Sequence, residues 1–144
     1  MIIRNDKAKW HKRFLKLSET ISQWSKDPST KVGSVITRGN RIVSLGYNGF
    51  ASGVRDIQER YDDREWVIHA EENCIIFAKG CTIYTWPMPP CSNCAAKIIQ
   101  CGITRVVSIK PTEAQAERWG KSFDIARAMY EDAGVSLVLW PGQN

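Results

Sequence analysis

Four residues in two short runs carry chemistry: His69 and Glu71 in His-Ala-Glu, and Cys91 and Cys94 in Pro-Cys-Ser-Asn-Cys. Cysteines three apart face the same way on a helix. Cys91 opens a stretch that reads as helical, so both thiols fall in its first turn. There the positive end of the dipole favours thiolate, the species that binds zinc. His69 opens a second helical stretch and offers a neutral imidazole. Three protein ligands leave the fourth tetrahedral position to water, the pattern of a catalytic zinc and not a structural one. Zinc lowers the pKa of such a water to about 7. Glu71 lies two residues past His69, a spacing that does not stack it over the histidine. It can approach the water from another side and carry protons without becoming a ligand.

Either run alone is weak. C-x-x-C also fits a redox pair or half of a structural zinc site. Together they are specific: they lie 22 residues apart, each opens a helix, and a strand runs between them. H-x-E followed by P-C-x-x-C is the known signature of zinc nucleobase deaminases. A four-ligand structural site needs another Cys or His, and Cys74, Cys81 and Cys101 lack paired spacing. Cys74 and Cys101 lie in or near apolar helix faces and read as small core residues. His11 sits in a first helix rich in Lys and Arg and reads as solvated.

The elements that must position these groups follow from periodicity and breakers. Trp10, Phe14, Leu17, Ile21 and Trp24 recur at steps of three and four, which predicts an amphipathic helix over 7–26, stopped by Asp27-Pro28. Val32–Thr37 and Arg41–Gly46 are β-rich, and Arg38-Gly39-Asn40 between them predicts a hairpin. Residues 50–66 are polar and irregular, and read as a loop with one helical turn. His69–Lys79 reads as a helix ended by Gly80, Thr82–Trp86 as a strand, Cys91–Gln100 as a helix closed by Gly102, and Ile103–Ile109 as a strand. A long helix spans 113–133, with Trp119, Phe123, Ala126, Tyr130 and Ala133 on one face. Val135–Trp140 is the last strand. The order α-β-β-α-β-α-β-α-β implies an α/β fold of three layers, α/β/α, around a mixed central sheet, antiparallel in its hairpin and parallel afterwards.

Length and composition agree. At 144 residues the chain reads as one domain, 1–144, able to bury a core without staples. Hydrophobic residues are 43% and charged residues 24%, ordinary values for a soluble globular protein. No apolar run approaches the roughly 20 residues that span a bilayer, and the first residues lack a signal-peptide core, so a cytoplasmic enzyme is expected. Five cysteines then read as thiols or metal ligands. The net charge of +5 suits an anionic partner, but it is spread along the chain with no basic tail.

With these residues placed, the chain from about 10 to 140 resembles the deoxycytidylate deaminase family of the cytidine deaminase fold. Besides the zinc runs, the likeness rests on Ser25-Lys26-Asp27-Pro28-Ser29-Thr30-Lys31-Val32-Gly33, Gly46-Tyr47-Asn48-Gly49, Ala95-Ala96-Lys97-Ile98-Ile99-Gln100 and Ala133-Gly134-Val135. It implies zinc-dependent hydrolysis of dCMP to dUMP and ammonia, with a homo-oligomer, a hexamer, whose neighbouring subunits help close each other's sites. It implies that Asn48 bonds the sugar and that the Ala70 backbone meets the pyrimidine carbonyl. It also implies that the Gly46–Gly49 loop serves an allosteric nucleotide in regulated members. By itself that loop reads as a turn, with glycines for positive φ and asparagine for local hydrogen bonds. Lys31 and Arg55 are candidate phosphate partners, each equally readable as a solvated charge. Some relatives hold a second zinc before the H-x-E run. Here no His or Cys occurs between residues 12 and 68, which predicts one zinc per chain.

The sequence departs from the family where T-L-x-P-C is usual: here Trp86-Pro87-Met88-Pro89-Pro90-Cys91 stands instead. That change near the ring's 5-position leaves 5-substituted dCMP open as a substrate. A tRNA adenosine deaminase shares both zinc runs, but the Gly46–Gly49 loop resembles the nucleotide enzymes. The absence of a clustered basic arm disfavours nucleic acid. A zinc-stabilised binding module without catalysis is the remaining alternative, and it has no use for Glu71.

Overall fold

The structure, a computed structural model, describes residues 5–75 and 78–142. The elements are α1 (Asn5–Ser22), β1 (Gly33–Arg38), β2 (Arg41–Tyr47), α2 (Ala70–Cys74), β3 (Thr82–Trp86), α3 (Ser92–Gln100), β4 (Arg105–Ile109), α4 (Glu113–Ala133) and β5 (Ser136–Trp140). Two short 3-10 turns, Gln58–Tyr61 and Arg64–Trp66, interrupt the loop before α2, where one helical turn is expected from the sequence.

The five strands form one sheet in the order β2-β1-β3-β4-β5. β1 pairs antiparallel with both β2 and β3, while β3, β4 and β5 are parallel. The hairpin turns at Gly39, whose φ of 61° is left-handed and so suits glycine. Alternation along the strands sends side chains to two cores. Ile36, Ile83 and Val106 meet Cys74, Ala95, Ile98, Ala126 and Tyr130, which puts α2, α3 and α4 on one face. Val35, Tyr84 and Val107 meet Phe14 and Leu15 of α1 on the other. The expected three-layer mixed-sheet architecture is therefore present.

Local expectations change at several points. The first helix ends at Ser22, so Trp24 leaves the predicted stripe and is 60% exposed. His11 is buried, not solvated: its Nδ1 lies 2.8 Å from the Tyr84 hydroxyl on β3. The helix expected over 69–79 is only five residues long. Ile75 is extended (ψ 117°) and packs with Ala78 into the first core, so burial of this apolar run overrides its helical periodicity. Residues 76 and 77 of that expectation lie outside the described residues. On α4, Phe123, Ala126 and Tyr130 are buried as expected, whereas Trp119 and Ala133 are exposed.

Candidate active site

His69 and Cys91 are the N-cap residues of α2 and α3, both with extended backbone. Glu71 lies in the first turn of α2, and Cys94 in the first turn of α3. The fold thus brings two helix N-termini together, and their first-turn amides give a positive setting for anions and thiolates. His69 Nδ1 lies 3.1 Å from Cys94 Sγ and 3.7 Å from Cys91 Sγ. All three ligand atoms fall within 4.8 Å of one another. Tetrahedral zinc, with bonds of 2.0–2.1 Å to N and 2.3 Å to S, holds such donors roughly 3.5–3.8 Å apart. The donor set, one imidazole and two sulfurs, is borderline-soft and suits zinc. The chemistry fits, and of the two N–S spacings the 3.7 Å one matches while the 3.1 Å one is a few tenths of an ångström short.

The electrostatics prepare these ligands. The Cys94 thiol and His69 both stabilise the Cys91 thiolate against its burial and bring its pKa down to about 4. The same thiolate raises His69, while Cys94 is pushed up because it keeps the proton it shares with Cys91. A dication displaces those protons, so zinc binding releases them. Glu71 is 5% exposed. Burial, the largest cause, lifts its carboxyl to about 7, against the pull of His69. A carboxyl that titrates there can both take and give a proton near neutral pH.

The Gly46–Gly49 loop supports this centre. Neither of its glycines has a positive φ, which corrects the turn reading. Gly46 is required by close approach: a Cβ there would lie 2.8 Å from the Ala70 carbonyl and 2.9 Å from the Cys74 amide. Gly49 exchanges two backbone bonds with Ile68, directly before His69. The Tyr47 carbonyl accepts from Asn73 Nδ2 at 2.8 Å. From β1, Ser34 Oγ lies 2.7 Å from the Ala70 carbonyl. Every anchor fixes the short α2 helix from outside it.

Asn48 is 3% exposed. Its Oδ1 accepts from the Val32 amide, and its Nδ2 donates to Asp27 and to the Thr30 carbonyl. Both donors are occupied within the protein, so only acceptor capacity on Oδ1 remains for a ligand. Asp27, which sequence reasoning missed, is the hub of this network: its Oδ2 pairs with Arg64 at 2.7 Å. Burial opposes its charge, but Arg64 and the Ser29 amide outweigh it and hold the carboxyl below its usual range. Also missed was the ion pair Lys97–Glu72, 3.0 Å, which joins α2 to α3. The K-D-P signal marked a loop stop but not a buried carboxylate, because the partner cation lies 37 residues on.

Ala70 is buried and opens α2, so its N–H is one of the helix's free first-turn amides. Lys31 is exposed and donates to the Ser25 carbonyl at 2.8 Å, and Arg55 is an exposed loop residue. Tyr47, Asn48, Gly49 and Asn73 line an open groove of about 530 Å³ together with Trp24. None of His69, Glu71, Cys91 or Cys94 lines it.

Comparison with known proteins agrees with this geometry. Residues 8–110 match the family model described as the cytidine and deoxycytidylate deaminase zinc-binding region. An uncharacterised deaminase of the luxG 3' region of Aliivibrio fischeri is 47% identical, over 93% of this chain and 95% of its own. A probable deoxycytidylate deaminase of Caenorhabditis elegans is 38% identical, over 91% of this chain and 73% of its own. Among solved structures, a dCMP deaminase of the cyanophage S-TIM5, in complex with dCMP and dUMP, superposes with a TM-score of 0.75 at 22% identity, covering 97% of this chain and all (100%) of its own. The zinc runs, the fold and these relatives agree, and the chain belongs to the cytidine and deoxycytidylate deaminase family.

Proposed function

We propose that this chain hydrolyses the exocyclic amine of dCMP, giving dUMP and ammonia. The observation that carries the reading is a buried carboxylate, Glu71, beside a centre with three protein ligands and no fourth among the described residues. Zinc, when bound, supplies Lewis acidity that makes water a competent nucleophile near neutral pH. Glu71 takes the proton from that water, places it on the ring nitrogen beside the amine, and then moves a proton to the departing ammonia. The free N–H of Ala70 accommodates the pyrimidine carbonyl, and the Oδ1 of Asn48 accepts from the sugar hydroxyl. Lys31, and Arg55 across the loop, are the cations offered to the phosphate.

Relatives named as deoxycytidylate deaminases support dCMP over a tRNA adenosine. Zinc-loaded protein is incubated with dCMP, 5-methyl-dCMP, dCTP, deoxycytidine and a tRNA anticodon hairpin while ammonia is followed. dCMP should have the highest kcat/KM. Equal values for dCMP and deoxycytidine would refute the monophosphate preference, and turnover of the hairpin alone would replace the reading. No turnover of any would leave only a binding module.

The chain acts as one deaminase domain and forms a homo-oligomer, a hexamer, in this proposal. No described helix is long and apolar enough to cross a membrane, and all five cysteines are free, which supports a reducing compartment such as cytoplasm. The groove over Tyr47–Gly49 is of a size that holds a small ligand, and a regulatory nucleotide is its proposed occupant.

A further inference from the structure

An N-cap residue ordinarily satisfies a first-turn amide with its own side chain. Cys91, the N-cap of α3, makes no such bond, and its sulfur belongs to the metal centre. The first amide of the helix, the N–H of Ser92, must find an acceptor elsewhere. It donates instead to Ser122 Oγ of α4, at 2.8 Å. Ser122 returns a bond to Ser92 Oγ at 3.2 Å, so the hydroxyl accepts once and donates once. Both serines are half-buried, 30 residues apart in sequence.

The platform that presents Ser122 is firm. α4 runs 21 residues, starts with a complete capping box at Thr112 and Gln115, and ends on Gly134 in the left-handed region. Phe123, Ala126 and Tyr130 bury its inner face. The serine is therefore presented by a helix that is anchored by the buried residues following it, and the bonded amide belongs to the residue directly after a zinc ligand.

We propose that Ser122 is a positioning residue of the zinc centre: it caps α3 from α4 and fixes the start of the helix that carries Cys91 and Cys94. Its hydroxyl satisfies the first amide of α3, which the side chain of an N-cap residue does not reach. Groups one shell out from a metal typically set affinity by 10–100-fold when removed.

The test measures zinc affinity by chelator competition and reads the thiolate charge-transfer band of the cobalt-substituted protein. Ser122→Ala should weaken zinc binding about tenfold and shift that band. Ser122→Thr keeps the oxygen and should restore both. Ser92→Ala removes the returned bond but keeps the amide, and should leave zinc affinity within about twofold of the parent. Circular dichroism confirms that each variant folds. Should Ser122→Ala itself fail to fold, Ser122→Thr against Ser122→Cys makes the same comparison, because sulfur is a weak acceptor. Unchanged zinc affinity in Ser122→Ala overturns the assignment. So does an equal loss in Ser92→Ala, which would make the serine pair, and not the amide cap, the working contact.

Discussion

Glu71 and Glu72 show how position decides the role of a carboxylate. Glu72 is partly exposed and pairs with Lys97, whereas Glu71 is buried, with its carboxyl lifted by burial to about 7. Glu71→Gln fills the same space but carries no proton. It should keep zinc and fold while losing about 10²–10⁴-fold in kcat, and wild-type turnover would remove Glu71 from the chemistry. His69→Ala or Cys91→Ala should lose zinc and activity together by metal analysis. His11 makes a different prediction. Burial, then the cations Arg105 and Lys7, hold its imidazole below the usual value, with Nδ1 2.8 Å from the Tyr84 hydroxyl. The unfolded chain therefore binds this proton more readily than the native protein. The contribution to stability is full above about pH 6.5 and is lost as pH falls through the lower native pKa. Urea unfolding of zinc-free protein at pH 8 and pH 5 should show a larger drop for the parent than for His11→Gln. Equal drops would remove His11 as a source of acid sensitivity. His69 titrates in both proteins and cancels in the comparison.

The helix that carries His69 and Glu71 is too short to hold itself, since isolated short helices are marginal in water. α2 is five residues long, so its position is set by what it rests on. Gly46 of β2 is the floor: a methyl group there meets backbone, which cannot rotate away. Gly46→Ala should push α2 off the sheet, costing about 1–3 kcal/mol and turnover together, while zinc content falls less than activity. Gly49→Ala meets nothing within 4 Å and serves as the control. Denaturation midpoints and kcat on the pair decide it, and an equal effect at the two glycines would discard the floor. The same helix marks the limit of what could be read from sequence. The two zinc runs were legible because ligand chemistry and the spacing within each run are local. The bounds of α4 were legible because Gly134 and a capping residue punctuate them. The short α2 was not, because Ile75 leaves it for contacts with distant residues. The burial of His11 was equally hidden, since Tyr84 lies 73 residues away. Gly46 looked like turn chemistry because a close approach between α2 and β2 has no signal in either segment alone.

At the scale of the whole molecule, apolar surface collects at one edge of the sheet. Among the described residues no strand pairs with the outer side of β2, which leaves that side an edge open to pairing. Ile42 is 51% exposed, Val43 40%, Leu45 39% and Tyr47 39%, with Trp24 at 60% beside Tyr47. Soluble monomers commonly blunt such an edge with charge or proline, and between Ile42 and Tyr47 this strand has neither. Trp86 and Trp140 pack against the α1 core, whereas Trp119 is among the exposed large apolar side chains. The β2 edge is therefore the better surface for a second copy. It also runs directly into Gly46–Gly49, which holds α2 and the backbone before His69. A partner seated on β2 stiffens that loop, so assembly and activity should fall together. Light scattering and turnover are measured across a dilution series from micromolar concentration downward, for the parent and for Leu45→Glu. The parent should exceed the 16.3 kDa chain mass and lose specific activity as it dissociates. Leu45→Glu, at an exposed position that is not a zinc ligand, should dissociate at higher concentration with its zinc intact. A parent mass near 16.3 kDa with full activity ends both the assembly and its coupling to the site, whereas an oligomer indifferent to Leu45→Glu moves the interface elsewhere.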